Sequence, residues 1–378
     1  MPENVVLYAL NISQISLIGL REINGMANNE YRLSIEGLRE FSTEVFEAYG
    51  LSHENASTVT DCLITADLRG VTTHGIVRVK SYLERAKREN WNPNPSISFS
   101  GKGAICTVDG DDGFGSLVGT AAMKKAVELA REHGVGICSV RKSSHFGMAS
   151  YYSLMAAKEE MIGFCCTNGA PNVAPFGAKE GMLGTSPFAF AAPIKDSAPF
   201  SLDISCSVTA HGRVTNAKRE GKTIPEGWAI DKDGYPTTDP AEALKGVMLP
   251  FGGHKGSGIS MVIDLLCGIL NSGCTSKHVR EVPGEGPGIG HFFLAIDISA
   301  FEPLDEFKER ALSFVTEMKN AGKAPGVSEL FFPGEQAAKK TEYNLAHGII
   351  VGAGGLKELC EVRDIYGISV DPERLIIE

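Results

Sequence analysis

The sequence predicts an α/β fold preceded by a helical N-terminal unit, and three observations lead to this prediction. Between residues 33 and 90, apolar residues recur at helical spacing. After the proline-containing break "NWNPNPSIS", short apolar runs such as "AICTV" and "VGICSV" alternate with helical segments, as in folds whose helices cross over a sheet. At 378 residues the chain is also long enough for about two compact domains.

The N-terminal unit is predicted to be all-helical, with three helices. The first spans residues 33 to 49, and Ser52 is placed to cap the second. The third is predicted to begin in "TTHGIVRVKSY", with Thr72 or Thr73 as its cap, and to run to about Asn90.

The later segments contribute further strands and helices. The runs "MIGFCCT", "SPFAFAAP", "APFSLDIS" and "HFFLAIDI" are predicted strands. The run "GISMVIDLLCGIL" is apolar nearly all round, so we expect a fully buried helix. Residues 303–321 and 336–347 are predicted helices whose amphipathic faces could pack back on the N-terminal helices.

The composition is that of an ordinary soluble globular protein, with 43% hydrophobic and 22% charged residues. Lysine and arginine total 36 against 46 acidic residues and form no dense basic run, so we predict no binding to nucleic acid. The nine cysteines are scattered without a C-x-x-C pair. They predict reduced, mostly buried thiols in a cytoplasmic protein.

The first 25 residues are apolar but are interrupted by Asn, Ser and Gln and lack a basic leader. The unbroken apolar run is too short for a membrane span, and no small-residue cleavage site follows it. We therefore expect neither a signal peptide nor a membrane segment. We interpret residues 1–25 as a dispensable extension before a true or alternative start at Met26.

A glycine pattern at Gly113, Gly115 and Gly119 follows a predicted strand and opens a helix, as in a dinucleotide-binding fingerprint. A standard Rossmann unit also needs an acidic residue at the end of the second strand to hold the ribose. That place holds Arg141 and Lys142, which would suit a 2′-phosphate instead. The spacing of the third glycine is loose, so we do not expect a standard Rossmann site here.

Polar side chains follow three predicted strands. His145 follows one strand in "SSHFGMASYY", Asn168 follows the next in "TNGAPNVAPFG", and Asp203 ends another in "LDIS". A histidine alone at such a place would more often be a capping or core residue. Three polar strand ends together favour a ligand site, because loops after parallel strands converge on ligands.

The segment "FGGHKGSG", residues 251–258, precedes the apolar helix. Glycines allow peptide N–H groups to approach an anion, the helix N-terminus adds its positive dipole end, and Lys255 adds a charge. A simple glycine turn is the alternative interpretation. If the segment binds a ligand, the phosphate of a dinucleotide is the natural one.

The stretch "TTHGIVRVKSY" has a histidine, an arginine and a tyrosine at intervals of four. On a helix this spacing would align His74, Arg78 and Tyr82 on one face. Such a face is often only solvated. However, arginine offers a fork for a carboxylate, tyrosine a neutral donor and histidine a proton near neutral pH, which is what a 2-hydroxy or 2-keto acid requires.

The sequence contains neither H-E-x-x-H nor a histidine pair at i, i+4, and it has no cysteine-rich cluster. We therefore predict no bound metal. It also lacks the G-x-S-x-G elbow of serine hydrolases. Metal-assisted hydrolysis by the histidine and aspartate residues stays a third hypothesis, which sensitivity to chelators would reveal.

Taken together, the motifs resemble the malate/L-lactate dehydrogenase family of the non-Rossmann type, which includes ureidoglycolate, sulfolactate and 2,3-diketogulonate oxidoreductases. The resemblance runs from about Leu33 to the C-terminal region through "ADLRGVTTHGIVRVKSY", "SSHFG", "NGAPNVAPFG", "LGTSPFAFAAP", "LDIS", "IPEGWAIDKDGYPTTDP", "HKGSG" and "FFPGE". It implies a three-layer mixed-sheet cofactor domain of the sulfolactate-dehydrogenase-like type, not a standard Rossmann fold. It also implies a helical domain built from N- and C-terminal segments, and a homodimer.

The resemblance implies roles for several residues. His74 matches the histidine treated in some members as the proton donor to the substrate carbonyl. Thr73 stands where serine is usual, and with Asp203 it matches a proposed relay that orients that histidine. His145 matches the proton acceptor of ureidoglycolate-type enzymes, so the resemblance leaves open which histidine is the acid/base.

The resemblance also implies binding residues. Arg78 and Tyr82 match positions that grip the substrate carboxylate. The positions that match cofactor-binding residues are Asn168, Gly169, Ile204, Ser205, Cys206, Lys255 and Gly256, and more weakly Gly334 and Glu335.

These inferences predict an NAD(P)-dependent oxidoreductase that transfers a hydride between nicotinamide and C2 of a small 2-hydroxy or 2-keto acid. A malate-like or lactate-like substrate is favoured, with ureidoglycolate or sulfolactate as the alternative, and the choice of NAD or NADP stays open. A non-catalytic nucleotide-binding protein is the alternative from another class. We expect residues 26–100 and 303–378 to form the helical, substrate-binding domain and residues 101–302 to form the dinucleotide-binding domain.

Overall fold

A computed structural model describes residues 30–219, 221–279 and 286–377. The expected extension, residues 1–25, lies outside the described residues. The described strands are β1 (Glu30–Leu33), β2 (Ser98–Lys102), β3 (Ile105–Gly113), β4 (Val135–Ser143), β5 (Ile162–Thr167), β6 (Phe188–Ala192), β7 (Phe200–Ile204), β8 (Ala229–Ile230), β9 (Pro236–Thr237), β10 (Val247–Met248), β11 (Ile289–Ile296) and β12 (Ile349–Gly352).

The helices of these ranges follow the same chain order. They are α1 (Ile35–Tyr49), α2 (His53–Leu68), α3 (Arg78–Arg88), α4 (Gly115–His133), α5 (Ala149–Lys158), α6 (His211–Arg219), α7 (Pro240–Ala243), α8 (His254–Cys267), α9 (Leu304–Lys319), α10 (Glu335–His347) and α11 (Ala353–Tyr366).

The main sheet has seven strands in the order β2-β3-β4-β11-β5-β6-β7. Strands β3 and β4 pair in parallel, and all other neighbours in this sheet are antiparallel. Strands β3, β4, β5 and β7 nevertheless point in one direction, because β11 and β6 are inserted between them with the opposite direction. Their carboxyl ends therefore share one edge of the sheet.

Helices cover both faces of this sheet. Helices α4 and α5 pack on one face in a core that includes Met123, Tyr152 and Phe293. Helix α8 packs on the other face, where Ile263 and Phe292 belong to a separate core. Successive strand residues point to opposite faces of a sheet, so Phe292 and Phe293 pack against the helices on the two different faces. The prediction of a three-layer mixed-sheet α/β fold is confirmed.

The N- and C-terminal segments form one further core. Leu38 of α1 and Leu63 of α2 are buried in the same cluster as Leu356 and Leu359 of α11. The expectation of an all-helical unit is wrong, because β1 pairs antiparallel with β12. Leu33 is the last residue of β1 and not the first of a helix, and the side chain of Ser34 caps α1 instead.

The two late helices pack in different places. In α10, Asn344 donates from Nδ2 to the carbonyl oxygens of Asp67 and Leu68 at 3.3 and 3.0 Å, so this helix does pack on α2. Helix α9 instead packs near the far edge of the main sheet, where Val315 shares a small core with Ile194.

The structure explains the glycine pattern by packing. A Cβ on Gly115 would lie 2.3 Å from the carbonyl oxygen of Ser144, and one on Gly119 would lie 2.7 Å from the Tyr152 ring. The basic residues at the end of β4 both contact Asp109 Oδ2, at 3.3 Å from Arg141 Nε and 3.2 Å from Lys142 Nζ. Together with the mixed sheet, these contacts agree with the prediction that the fold is not a standard Rossmann fold.

Helix α8 is not buried all round, contrary to the sequence expectation. Met261, Val262 and Leu265 are 57%, 52% and 52% exposed in the isolated chain. The described cysteines are all free, and seven of the nine are buried, as predicted. None of the described helices combines the length and the apolar character that a membrane crossing would require.

Candidate active site

The segment "TTHG" forms a turn and does not begin a helix. Residues Thr72–His74 make one 3₁₀ turn, and α3 begins only at Arg78. The prediction that Thr72 or Thr73 caps a helix containing His74 is therefore wrong. The i, i+4 alignment holds for Arg78 and Tyr82 in α3 but does not include His74. His74 and Tyr82 still come together, because both lie beside His145.

Asp67 determines the shape of this turn. Its Oδ2 accepts a hydrogen bond of 2.6 Å from the backbone N–H of Ile76, which is buried. A Cβ on Gly75 would lie only 1.8 Å from Asp67 Oδ1, so the backbone passes directly over the carboxylate. The chain can leave the turn in this way because residue 75 has no side chain.

Two histidine rings form the centre of the site. The rings of His74 and His145 are stacked, with centroids 5.6 Å apart and an angle of 18° between their planes. Thr73 Oγ1 lies 3.0 Å from His74 Nδ1, and Tyr82 Oη lies 2.8 Å from His145 Nδ1. His74 and His145 are each half-buried as residues, so part of each stays open to a small molecule.

Arg78 lies next to this pair. Its Nε donates to the carbonyl oxygen of Thr73 at 2.6 Å, which fixes the guanidinium against the turn. In the described ranges its two terminal nitrogens have no hydrogen-bond partner, although its charge acts on both His74 and His145. The free edge of the guanidinium is therefore available to an anion.

The environment keeps both histidines neutral at physiological pH. Burial, followed by the charge of Arg78, lowers the pKa of His74 to about 4. Burial also lowers the pKa of His145 well below its ordinary value, and the neighbouring His74, Arg78 and Arg85 lower it further. Both imidazoles are thus in the form that can accept a proton or donate a neutral hydrogen bond.

Asp203 lies on β7 near the same edge. Its Oδ2 accepts the N–H of Ser150 at 2.7 Å, close to the start of α5. The charge of Arg69 acts on this carboxylate, and Arg69 Nη2 also lies 3.4 Å from Ser201 Oγ. Asp203 was predicted from the sequence as a site residue, whereas Arg69 was not.

Asn168, which follows β5, is buried, and both ends of its side chain are used within the protein. Its Nδ2 donates to the carbonyl oxygen of Cys274 at 2.6 Å, and its Oδ1 accepts the N–H of Gly290 at 2.9 Å. The amide therefore joins the end of β5 to β11. The adjacent Gly169 faces open space, since no atom lies within 4 Å of the position of a Cβ there.

The predicted anion site lies at the N-terminus of α8. Gly253 precedes this helix with φ +61°, and Lys255 is exposed in its first turn. A Cβ on Gly256 would lie 2.4 Å from the carbonyl oxygen of Phe251, so this turn is tightly closed.

The residues that follow β7 reach the same region. The Cys206 carbonyl oxygen accepts the N–H of Phe251 at 2.9 Å and so joins this segment to the start of α8. Ile204 is exposed, and Ser205 Oγ lies 3.2 Å from Ser207 Oγ.

Gly334 and Glu335 begin α10 beside β7. Gly334 has φ +93°, and a Cβ there would lie 2.8 Å from the Cβ of Ser201. Glu335 is 8% exposed, and its Oε1 pairs with Lys319 and with Lys339, the latter at 3.2 Å.

Sequence reasoning gave no role to three further residues that shape the site: Asp67, Gly147 and His291. Gly147 donates its N–H to His145 Nδ1 at 3.3 Å. His291 is fully buried, with its ring nitrogens 2.7 Å from Thr167 Oγ1 and 2.8 Å from Ser143 Oγ. Gly147, the glycine after "SSHF", was a possible signal for its contact with His145. His291 lies in an apolar run, which gives no signal of a polar site.

Comparisons with known proteins find relatives that match most of the chain. The sequence matches the malate/L-lactate dehydrogenase family over residues 33–360. A malate dehydrogenase from Pyrococcus horikoshii is 41% identical over 350 residues, which cover 90% of this chain and 97% of that protein. A ureidoglycolate dehydrogenase (NAD(+)) from Escherichia coli is 31% identical over 322 residues, covering 84% and 92%.

A (2R)-3-sulfolactate dehydrogenase (NADP(+)) from Chromohalobacter salexigens is 33% identical over 272 residues, covering 71% of this chain and 82% of that protein. Among solved structures, the sulfolactate dehydrogenase from Methanocaldococcus jannaschii has a TM-score of 0.84 at 37% identity, covering 92% of this chain and all of that one. The resemblance that the motifs predicted is confirmed: this chain belongs to the malate/L-lactate dehydrogenase family.

Proposed function

We propose that the protein is an NAD(P)-dependent oxidoreductase that transfers a hydride between nicotinamide and C2 of a small 2-hydroxy or 2-keto acid. The observation that carries the proposal is the stacked pair of His74 and His145 beside the free edge of Arg78. Two accessible imidazoles can bind a C2 oxygen and exchange its proton. A guanidinium fork can hold the adjoining carboxylate.

The residues at the sheet edge fit a dinucleotide. The 14-residue helix α8 begins after Gly253 and has Lys255 in its first turn, which suits a phosphate. The open space over Gly169 leaves room for a flat group close to the backbone. We assign to the cofactor site Asn168, Gly169, Ile204, Ser205, Cys206, Lys255 and Gly256, with Gly334 and Glu335 at its border. When bound, the nicotinamide accepts or returns the hydride.

The protein's part in the reaction is positioning and proton transfer. In oxidation, Arg78 holds the carboxylate and a neutral histidine, His74 or His145, takes the hydroxyl proton as the hydride leaves C2. In reduction the same ring returns the proton to the C2 oxygen. Thr73 Oγ1, at 3.0 Å from His74 Nδ1, orients that ring. Asp203 Oδ2 accepts the N–H of Ser150, and its relay with Thr73 rests on the family resemblance alone.

For the substrate we propose a malate-like or lactate-like acid. Relatives named malate, sulfolactate and ureidoglycolate dehydrogenases all act on acids with a carboxylate next to an oxygen-bearing carbon. Arg78 would read the carboxylate and the histidines would read the oxygen, so the group on C3 is left to discriminate among these acids.

The test is a steady-state panel of malate, lactate, ureidoglycolate and sulfolactate, each measured with NAD and with NADP. We expect turnover of at least one acid, insensitive to EDTA. Cofactor binding without turnover of any acid would instead support the non-catalytic alternative. Loss of turnover in EDTA would support metal-assisted chemistry.

We further propose a cytoplasmic homodimer, with residues 26–100 and 303–378 as the substrate-binding domain and residues 101–302 as the dinucleotide-binding domain. Within this division α9 is the exception, because Val315 packs with Ile194 at the edge of the main sheet. The exposed apolar side chains of Met261 and Leu265 on α8 support an interface with a second copy. Adjoining apolar residues Ile269 and Leu270, at 59% and 60% exposed, extend this face.

A further inference from the structure

We infer that the two histidines have different and fixed roles: His145 is a neutral hydrogen-bond donor through Nε2, and His74 is the group that carries the proton. This inference rests on the proposed hydride transfer and assigns the proton step within it. It also makes Tyr82 a positioning residue for His145 and not a ligand of the substrate carboxylate.

The hydrogen bonds at His145 determine its tautomer. In the described chain both hydrogen bonds of this ring are at Nδ1, to the Gly147 N–H at 3.3 Å and to the Tyr82 hydroxyl at 2.8 Å. A backbone N–H can only donate, so Nδ1 accepts from it through its single lone pair, which it shares with the Tyr82 hydroxyl, and has no proton of its own. The hydrogen of the neutral ring is therefore on Nε2.

The backbone around His145 holds this arrangement in place. Gly147 has φ +82°, a conformation that glycine adopts without strain and that returns its N–H toward the preceding histidine. A Cβ there would lie 3.1 Å from Cys62 Sγ, so a larger residue would be strained and crowded. The same local sequence that presents His145 thus also fixes its tautomer.

An Nε2–H ring cannot act as a base through Nε2. A second proton would have to enter at Nδ1, against the Gly147 N–H that already points at this atom. Burial already disfavours the resulting imidazolium, and the charges of Arg78 and Arg85 disfavour it further. His145 can therefore polarise a C2 oxygen by donating to it, but it does not take the proton.

His74 has no such restriction. Its Nδ1 partner is the Thr73 hydroxyl, which can donate or accept, so either ring form keeps a hydrogen bond of about 3.0 Å. The charge of Arg78 disfavours the imidazolium of His74 in the free protein. A carboxylate bound to Arg78 would offset that charge and allow the ring to hold a proton during the reaction.

Tyr82 fits the positioning role by its burial. It is 2% exposed, and its ring packs against Trp91 with centroids 5.8 Å apart. Its hydroxyl is already engaged by His145. A residue held in this way can keep His145 in place but offers the substrate no free donor.

The direct test is a long-range ¹H–¹⁵N correlation spectrum of the protein with ¹⁵N-labelled histidine, because this spectrum distinguishes the two tautomers and the imidazolium. The His145 signals are identified by their absence in His145→Gln. We expect the Nε2–H form with no titration between about pH 6 and 9. An Nδ1–H form, or an imidazolium in this range, would overturn the inference.

Kinetics test the same assignment in the working enzyme. Gln keeps an N–H donor but cannot take a proton, so His145→Gln should lower kcat by about tenfold, the value of one hydrogen bond. His74→Gln should lower kcat by about a hundredfold or more and remove the acidic limb of the pH profile of kcat/KM for oxidation. The reverse pattern would assign the proton to His145.

Tyr82→Phe tests the positioning role. It removes one of the two bonds at Nδ1 but leaves the Gly147 N–H, so we expect a few-fold lower kcat with an unchanged KM for the acid. A large rise in KM at constant kcat would mean that Tyr82 binds the carboxylate. If the wild type turned over no acid at all, the proposed function would fail, while the NMR spectrum would still decide the tautomer.

Discussion

The variant Gly75→Ala tests whether the Asp67 carboxylate sets the position of His74. The added Cβ would lie 1.8 Å from Oδ1, 2.0 Å from Cγ and 2.2 Å from Oδ2 of Asp67, so the turn and the carboxylate must separate. That movement breaks the 2.6 Å hydrogen bond to the buried N–H of Ile76. A buried donor without a partner costs about 1–3 kcal/mol of unfolding free energy.

The catalytic rate should fall together with the folding stability. His74 directly precedes Gly75, and a displacement of about 1 Å at a reacting group costs about a hundredfold in rate. We therefore expect Gly75→Ala to lower kcat by about a hundredfold and the unfolding free energy by about 1–3 kcal/mol. The measurements are steady-state oxidation of the best acid and urea denaturation.

Two further variants make the reasoning refutable. Gly354→Ala is the matched control, because no atom lies within 4 Å of its Cβ position and it sits within helix α11. It should leave activity unchanged. Asp67→Ala removes the atoms with which the added Cβ of Gly75→Ala would clash. The double variant should therefore have the same activity and stability as Asp67→Ala alone. Normal activity of Gly75→Ala, or additive losses in the double variant, would refute this account of the turn.

Three other perturbations give distinct readouts. Arg78→Lys replaces the guanidinium fork with a single ammonium group and should lower kcat/KM for the acid by about 10- to 100-fold. NAD(P)H binding, followed by fluorescence, should be unchanged. An unaltered KM for the acid would count against the role of Arg78 in holding the carboxylate. Burial raises the pKa of Asp67 from 3.8 to about 7, so its ionisation destabilises the folded protein as pH rises through this window. One pKa unit corresponds to about 1.4 kcal/mol. The unfolding free energy of Asp67→Asn minus that of the wild type, measured by urea denaturation, should therefore rise by about 4 kcal/mol between pH 4 and 8. A difference that does not change with pH would contradict this prediction. If the proposed dimer forms through α8, Met261→Asp with Leu265→Asp should give a monomer in sedimentation, whereas a wild-type monomer would refute the proposed interface.

The sequence allowed much of the fold to be predicted because the signals were local. Apolar runs and helical periodicity located most helices and six of the seven strands of the main sheet, the exception being the exposed edge strand β2. Ser52 was correctly identified as a cap, its side chain accepting the N–H of Asn55. The pairing of β1 with β12 was not predicted, since it joins residues more than 300 positions apart. The exposed face of α8 was also missed, because an apolar face that stays exposed in the chain has the same sequence pattern as one buried in a core.

The candidate active site shows a different limit of prediction from sequence. His74, His145 and Arg78 were named from motifs, and the structure brings them together. The geometry expected for them was wrong, because a carboxylate on the preceding helix, Asp67, turns the backbone at Gly75. Tertiary contacts of this kind leave no periodic signal in the sequence.

The measurement that tests the central claim most directly follows the hydrogen itself. The best acid of the panel, deuterated at C2, is oxidised by the wild-type protein, and the reduced cofactor is analysed by mass spectrometry. Direct hydride transfer predicts one deuterium in each reduced nicotinamide. Reduced cofactor without deuterium, or acid consumed without cofactor reduction, would contradict the proposed function.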